Sequence, residues 1–212
     1  MSAENPEPEN TPQESTFESR SGLNILAEGQ RTALCEMEER LLPSHVTYLN
    51  DPEVNRYLRT RPPVTLEHQK AWLQRSAHDV TAKVFSVFAK ENGDKFKFIG
   101  VVSFRDIDPA TGGANGGAVI GDKAYWKKGI ASEARILQLH YGFSKLGINW
   151  VLGHSIDPNV ASQKLLEHVG YTLIEKHNAA RVVDGVAYDE YVYKISKEEF
   201  YAKWKDQLPP LP

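Results

Sequence analysis

Tyr125-Trp126-Lys127-Lys128-Gly129-Ile130-Ala131-Ser132-Glu133-Ala134 is the stretch on which the reading of this chain turns. It leads from a short β-rich segment, Ala118-Val119-Ile120, into a long helical run. Unpaired amides at a helix start point outward and carry partial positive charge, so an anion docks there. Gly129 and Ala131 present little side chain and let a phosphate approach the backbone. Lys127 and Lys128 add two positive charges beside it. The Gly-Lys-Ser/Thr order of a nucleotide-triphosphate loop is absent, and so is the dinucleotide pattern Gly-x-Gly-x-x-Gly. Taken alone, the stretch reads equally well as a closely packed helix start with two solvated lysines.

Downstream, the helix runs over residues 129–145. Ile130, Ala134, Leu137 and Tyr141 lie on one face and Ile136, Leu139 and Phe143 on a second, so it is predicted to be largely enclosed. Gly147 ends it. A strand at 150–156, a helix at 159–169 closed by Gly170, strands at 171–176 and 186–195, and a short helix from Ser196 follow. Upstream, the glycine-rich residues 111–117 read as a loop. Strands at 83–89 and 96–104 flank Glu91-Asn92-Gly93-Asp94, whose Asn-Gly is a strong hairpin signal. Further back come a strand at 31–37 and helical stretches at 42–49 and 52–58. A helix entry then follows with Thr65 as N-cap and Leu66, Leu73 and Trp72 as apolar contacts. The order β-αα-βββ-α-β-α-ββ is that of a mixed α/β layered domain.

With 41% hydrophobic and 25% charged residues among 212, the chain suits one globular domain. A formal net charge of −3 gives no reason to expect nucleic acid as a partner. No apolar run approaches the roughly 20 residues that span a bilayer, so no membrane is expected. Met1-Ser2-Ala3-Glu4-Asn5-Pro6 lacks the basic start and apolar stretch of a secretory signal. The single cysteine, Cys35, fits a reducing compartment, and a cytoplasmic protein is expected. Cys35 lies in a predicted strand, where a small core residue is favoured over a thiol nucleophile. Residues 1–20 are polar, acidic and proline-bearing and read as a disordered tail. The domain is then 21–206, and the proline-rich 207–212 reads as a frayed extended end.

Four motifs stand in order along the chain. Leu49-Asn50-Asp51-Pro52-Glu53-Val54 comes first, then Trp126-Lys127-Lys128-Gly129-Ile130-Ala131 continued by Ser132-Glu133-Ala134. Asp157-Pro158-Asn159-Val160-Ala161-Ser162 opens an apolar helix that ends at Gly170-Tyr171. Asp184-Gly185 and Asp189 precede residues 196–200. Across residues 31–204 these resemble the GNAT superfamily, in particular its ribosomal-protein N-acetyltransferase subfamily. The resemblance implies a central, mixed, mostly antiparallel, splayed sheet flanked by helices. The strand carrying Val119 and Ile120 would part from the strand carrying Leu152 and His154. The pantetheine arm of acetyl-CoA would lie in the gap, bonded to the backbone of the first strand. Its pyrophosphate would sit on the amides of residues 128–131, flanked by Lys127 and Ser132. A primary amine would attack the thioester directly in a ternary complex, with a backbone amide holding the oxyanion. No metal ion is implied, and a homodimer is one assembly the subfamily adopts.

Such an attack needs a base for the ammonium proton and a donor for the departing thiolate. The superfamily's frequent tyrosine donor falls at Leu166, which leaves Ser162 as the candidate, with helix capping as its other reading. The subfamily's glutamate before the pyrophosphate loop falls at Gly116. A later one falls at Ile174, with Glu175 one residue late and so on the other strand face. The base is then His154, Asp189 or a water relay. A core histidine and a structural hydrogen bond are the other readings of the two side chains. Asn159 matches a residue that contacts the cofactor arm, or caps the helix. For the acceptor site the candidates are Arg59, His68 and Trp72, with packing or solvated roles also open. The amine is a protein N-terminus, an amino sugar, since residues 65–72 also resemble sugar-modifying relatives, or another small molecule. A non-catalytic CoA-binding or scaffolding module of the same fold, and a domain binding another phosphorylated ligand, are the alternatives.

Overall fold

In the computed structural model, which describes residues 17–92 and 94–212, alternation along the chain builds one open sheet. Its first strands are β1 (Phe17–Ser19), β2 (Ile25–Glu28) and β3 (Thr32–Glu36). Helices α1 (Leu42–Asn50), α2 (Pro52–Asn55) and α3 (Leu66–His78) follow. Then come β4 (Lys83–Lys90), β5 (Lys95–Asp108), β6 (Gly113–Ile120), α4 (Ile130–Lys145) and β7 (Trp150–Ile156). The chain closes with α5 (Val160–Val169), β8 (Thr172–Val183), β9 (Val186–Ser196) and α6 (Lys197–Trp204).

Among the described residues the sheet has nine strands, ordered β2-β3-β4-β5-β6-β7-β9-β8, with β1 added beside the start of β5. Every pair is antiparallel except β6 and β7, which run parallel. This is the mixed, mostly antiparallel sheet the resemblance implies. Side chains fix the helix starts as expected: Thr65 accepts from the His68 amide, Asn159 from the Ser162 amide, and Ser196 forms a capping box with Glu199. On one face of the sheet, Leu137, Leu139 and Phe143 of α4 join Phe85, Phe104, Val151, Ile195 and Phe200 in the main core. Each such side chain stabilises the fold by about 1.5–3 kcal/mol on burial. A second cluster, with Cys35, Phe88, Phe96, Phe98 and Leu41, lies partly beneath α1. Cys35 is fully buried and its thiol is pushed up to about 12 by burial, so it is a core residue and not a nucleophile.

Four readings of the sequence change. The glycine-rich run is strand from Gly113 onward, because its glycines admit neighbours that lie on the backbone; a Cβ on Gly113 would sit 2.2 Å from the Trp150 ring. Strand β8 reaches Val183, well past residue 176. Phe17–Ser19 pairs with β5 inside the segment read as a tail, whose residues 1–16 lie outside the described chain. The C-terminal residues are extended but not frayed. Leu208 and Leu211 pack on the core, and Pro209 and Pro212 accept from His140 and Lys145 at 3.1 and 2.7 Å. Gly93 of the Asn-Gly turn lies outside the described residues, while the Glu91 amide closes the hairpin on the Lys95 carbonyl at 2.8 Å. Among the described residues no helix is long and apolar enough to cross a membrane.

Candidate active site

Among the described residues the sheet forks where its only parallel pair ends. Strands β6 and β7 pair at Gly113–Trp150, Ala114–Val151 and Asn115–Leu152, and no further. The next residue on each strand is a glycine, Gly116 and Gly153. On the α4 side the space these glycines leave is filled. A Cβ on Gly116 would sit 2.6 Å from Nη2 of Arg135, and one on Gly153 would sit 2.6 Å from Cδ2 of Leu166. Arg135 therefore floors the fork. It is 1% exposed, donates to the Gly116 carbonyl at 3.1 Å and to Oε1 of Gln138 at 3.0 Å, and lies 5.3 Å from the Tyr171 ring. No carboxylate among the described residues pairs with it. Leu166, at the family's tyrosine position, is buried here and brings no hydroxyl.

Backbone direction along β6 decides which groups enter the gap. A Cβ on Gly100 would sit 2.1 Å from the Val119 carbonyl oxygen, and the Gly121 amide donates to Ile99 at 2.8 Å, so residues 119 and 121 face β5. Successive residues of a strand alternate, which turns Gly116, Ala118 and Ile120 toward the gap. Arg135 takes the Gly116 carbonyl and the Trp126 indole takes that of Ile120 at 2.7 Å. Ala118 is left with amide and carbonyl directed into the fork. Of the two residues expected to line it, Ile120 does so and Val119 points its backbone the other way.

The start of α4 leaves its first amides open to an anion. Lys127 and Gly129 both adopt left-handed backbone, at φ 59° and 75°. Gly129 occupies the N-cap with no side-chain cap, so the amides of Ile130, Ala131 and Ser132 are unengaged by the helix. Arg31 holds this loop from behind. Its Nη1 donates to the Lys128 carbonyl at 2.6 Å, its Nη2 to the Gly129 carbonyl at 3.5 Å, and its Nε to Glu133 at 3.1 Å. With the carbonyls held and the one acidic residue of the first turn neutralised, the helix start keeps its positive potential. Lys127 and Lys128 are exposed beside it, Lys128 with its Nζ 5.8 Å over the Tyr125 ring. Arg31 carried no signal in the sequence, since its partners lie 97 and 102 residues away.

His154 stands just past the fork, solvent-facing and so not a core histidine. Its Nε2 is 3.1 Å from Oδ1 of Asn115, and Nδ2 of Asn115 donates to Asp106 at 2.9 Å. Asp106 fixes which end of the amide faces the ring. The histidine then donates through Nε2 and keeps the Nδ1 lone pair free. Partial burial holds its pKa below the ordinary 6.5, Glu190 opposes this, and Arg59 and Arg105 add to it. A neutral ring near pH 7, with one fixed tautomer and a free lone pair, is equipped to accept a proton.

The other expected residues divide. Ser162 is half-buried at the start of α5, and its hydroxyl has no hydrogen bond among the described residues; Asn159, not Ser162, is the cap. Asp189 receives the Ala179 amide at 2.8 Å and pairs with Lys176 at 2.8 Å, and these contacts hold its carboxyl below the ordinary range. These contacts are the structural hydrogen bonding that is the other reading of Asp189. Arg59 reaches the mouth of the fork, 2.7 Å from Glu190. Trp72 instead packs 5.7 Å from the His45 ring, and His68 is exposed on α3, which lies against α1 and β4. Glu175 corrects a period-two argument: the register shifts between Leu173 and Glu175, so Glu175 pairs with Val192 in the row of His154. It contacts His177 at 3.1 Å.

A forked mixed sheet, with a free strand edge beside an uncapped helix start, is the frame of an acyltransferase, and comparison with known proteins agrees. Residues 31–172 match the acetyltransferase (GNAT) domain family. The chain belongs to that family and is an acyltransferase enzyme. It is 29% identical over 178 residues to uncharacterized N-acetyltransferase p20 of Bacillus licheniformis, covering 81% of this chain and 96% of the relative. Among solved structures it resembles spermidine N-acetyltransferase from Vibrio cholerae in complex with CoA and spermine. That likeness has a TM-score of 0.73 at 18% identity, over 80% of this chain and 97% of the other. Microcin C7 self immunity acetyltransferase MccE, in complex with acetyl-CoA and AMP, aligns with a TM-score of 0.67 at 23% identity, over 79% and 93%.

Proposed function

We propose that this chain transfers an acetyl group from acetyl-CoA to a primary amine by direct attack in a ternary complex. The observation that carries the reading is the fork itself: β6–β7 pairing stops at Asn115–Leu152, next to an α4 start with no side-chain cap. In this reading the pyrophosphate rests on the amides of residues 128–131, beside Lys127 and Ser132, and the pantetheine arm runs along the gap-facing edge of Ala118. Asn159 lies at the start of α5 to contact the arm while capping the helix. The amine nitrogen forms a bond to the thioester carbon, and a gap-facing amide of β6 holds the oxyanion. His154 takes the proton the ammonium loses, directly or through water. As the carbon–sulfur bond breaks, the unengaged Ser162 hydroxyl passes a proton to the thiolate and takes in its place the second proton that the amine nitrogen loses on becoming an amide. The two solved neighbours hold spermine and AMP, ligands of opposite charge, so likeness of fold does not choose the acceptor. A protein N-terminus, as in the ribosomal-protein subfamily, is one acceptor this chemistry serves.

Direct transfer makes a kinetic prediction. Initial rates of thiol release, with acetyl-CoA and amine both varied, should give intersecting double-reciprocal lines and no release without amine. Parallel lines, or an acetylated protein isolated after acetyl-CoA alone, would contradict it. Binding of acetyl-CoA without turnover of any amine would move the chain to a non-catalytic module.

A further inference from the structure

The acceptor side of the fork brings three guanidiniums and three carboxylates together, and among these groups one guanidinium, that of Arg105, has neither an ion-pair nor a hydrogen-bond partner among the described residues. Arg105 lies opposite Asn115 in the β5–β6 register, and Asn115 is the residue that holds His154. Arg59 reaches in from the α2–α3 connection to Glu190, whose Cα partner is Ile156, two residues beyond His154 on β7. Arg181, on β8 opposite Tyr188, is half-buried and bonded to the Tyr57 carbonyl at 2.9 Å. The carboxylates of this face are engaged: Glu190 by Arg59, Asp106 by Asn115, Glu175 by His177. Arg105 is exposed and has no ion pair among the described residues. The positive groups that act on His154 are Arg59, Arg105 and His177, against Glu190 alone.

A polycationic amine entering here finds these carboxylates already engaged and meets the unpaired charge of Arg105. An amine that also bears an anion gains a charge-assisted, often bidentate, partner in Arg105, which turns its nitrogen toward the fork. We propose that the acceptor of this enzyme carries an anionic group, carboxylate or phosphate, close to its primary amine, and that Arg105 receives that group. The proposal rests on the acetyl-transfer reading and names its substrate class.

Four small amines test it: β-alanine, phosphoethanolamine, ethanolamine and spermidine, each compared by kcat/KM with saturating acetyl-CoA. The carboxylate- or the phosphate-bearing amine should exceed ethanolamine by about tenfold, with spermidine slowest, and the better of the two identifies the anion. Arg105→Gln should narrow the ratio towards one through KM for the acceptor. Arg105→Glu should invert the order in favour of spermidine. Ethanolamine or spermidine matching the anionic amines in the wild type overturns the proposal, as does a preference that survives Arg105→Glu or a panel in which neither anionic amine reacts. Amine-dependent thiol release from ethanolamine or spermidine alone would leave acetyl transfer standing while the anionic acceptor falls.

Discussion

Replacing His154 with Gln is expected to lower kcat/KM by about 10²–10⁴-fold, the usual contribution of a positioned general base, while leaving acetyl-CoA affinity in place. Glutamine keeps a donor for Asn115 but has no basic lone pair, so the loss reports proton transfer and not collapse of the contact. The pH profile supplies the sharper reading. Burial, assisted by Arg59 and Arg105, keeps the imidazolium pKa below 6.5. The neutral, competent ring is therefore present above that pKa and lost as pH falls through it. Wild-type activity should rise with pH along a limb lying below 6.5 and level off before neutrality, and His154→Gln should lack that limb. An unchanged limb and rate in the variant would assign the proton to a water relay.

Gly129→Glu is the second large effect. Gly129 has φ 75°, where a side chain is strained, and an added Cβ would lie 3.2 Å from Nη2 of Arg31. The backbone cost is about 1–2 kcal/mol, which lowers Tm by a few degrees and leaves the domain folded. The carboxylate stands at the helix start where two phosphates are to be held, and should weaken acetyl-CoA by about 100-fold or more. Gly129→Asn is the control, because asparagine tolerates left-handed backbone and adds no charge. If both variants bind acetyl-CoA as the wild type does, the pyrophosphate lies elsewhere.

Local chemistry made much of this molecule readable in its sequence. Thr65, Asn159, Ser196 and Gly170 mark helix ends through hydrogen bonds or backbone angles that involve near neighbours, and each does so here. The uncapped helix start at Gly129 was readable for the same reason. What escaped depends on strand pairing or on distant partners. Glycines 113 and 116 read as a loop because the Trp150 and Arg135 side chains that fill their space are remote in sequence. The bulge at Ile174, which returns Glu175 to the face of His154, has no local signature. Arg31 and the Asp106–Asn115–His154 chain join residues from different strands and loops. His154 was placed beside the gap by the resemblance, but its fixed tautomer and the arginines around it needed the fold.

The central claim is that acetyl-CoA binds in the fork with its pyrophosphate on the start of α4. Thermal unfolding of the wild-type protein with and without acetyl-CoA tests it most directly. At about 100 times the dissociation constant the ligand should add about 2.7 kcal/mol, raising Tm by about 5–10 °C for a domain of this size, and the rise should vanish in Gly129→Glu. No shift in the wild type at millimolar acetyl-CoA would contradict the account.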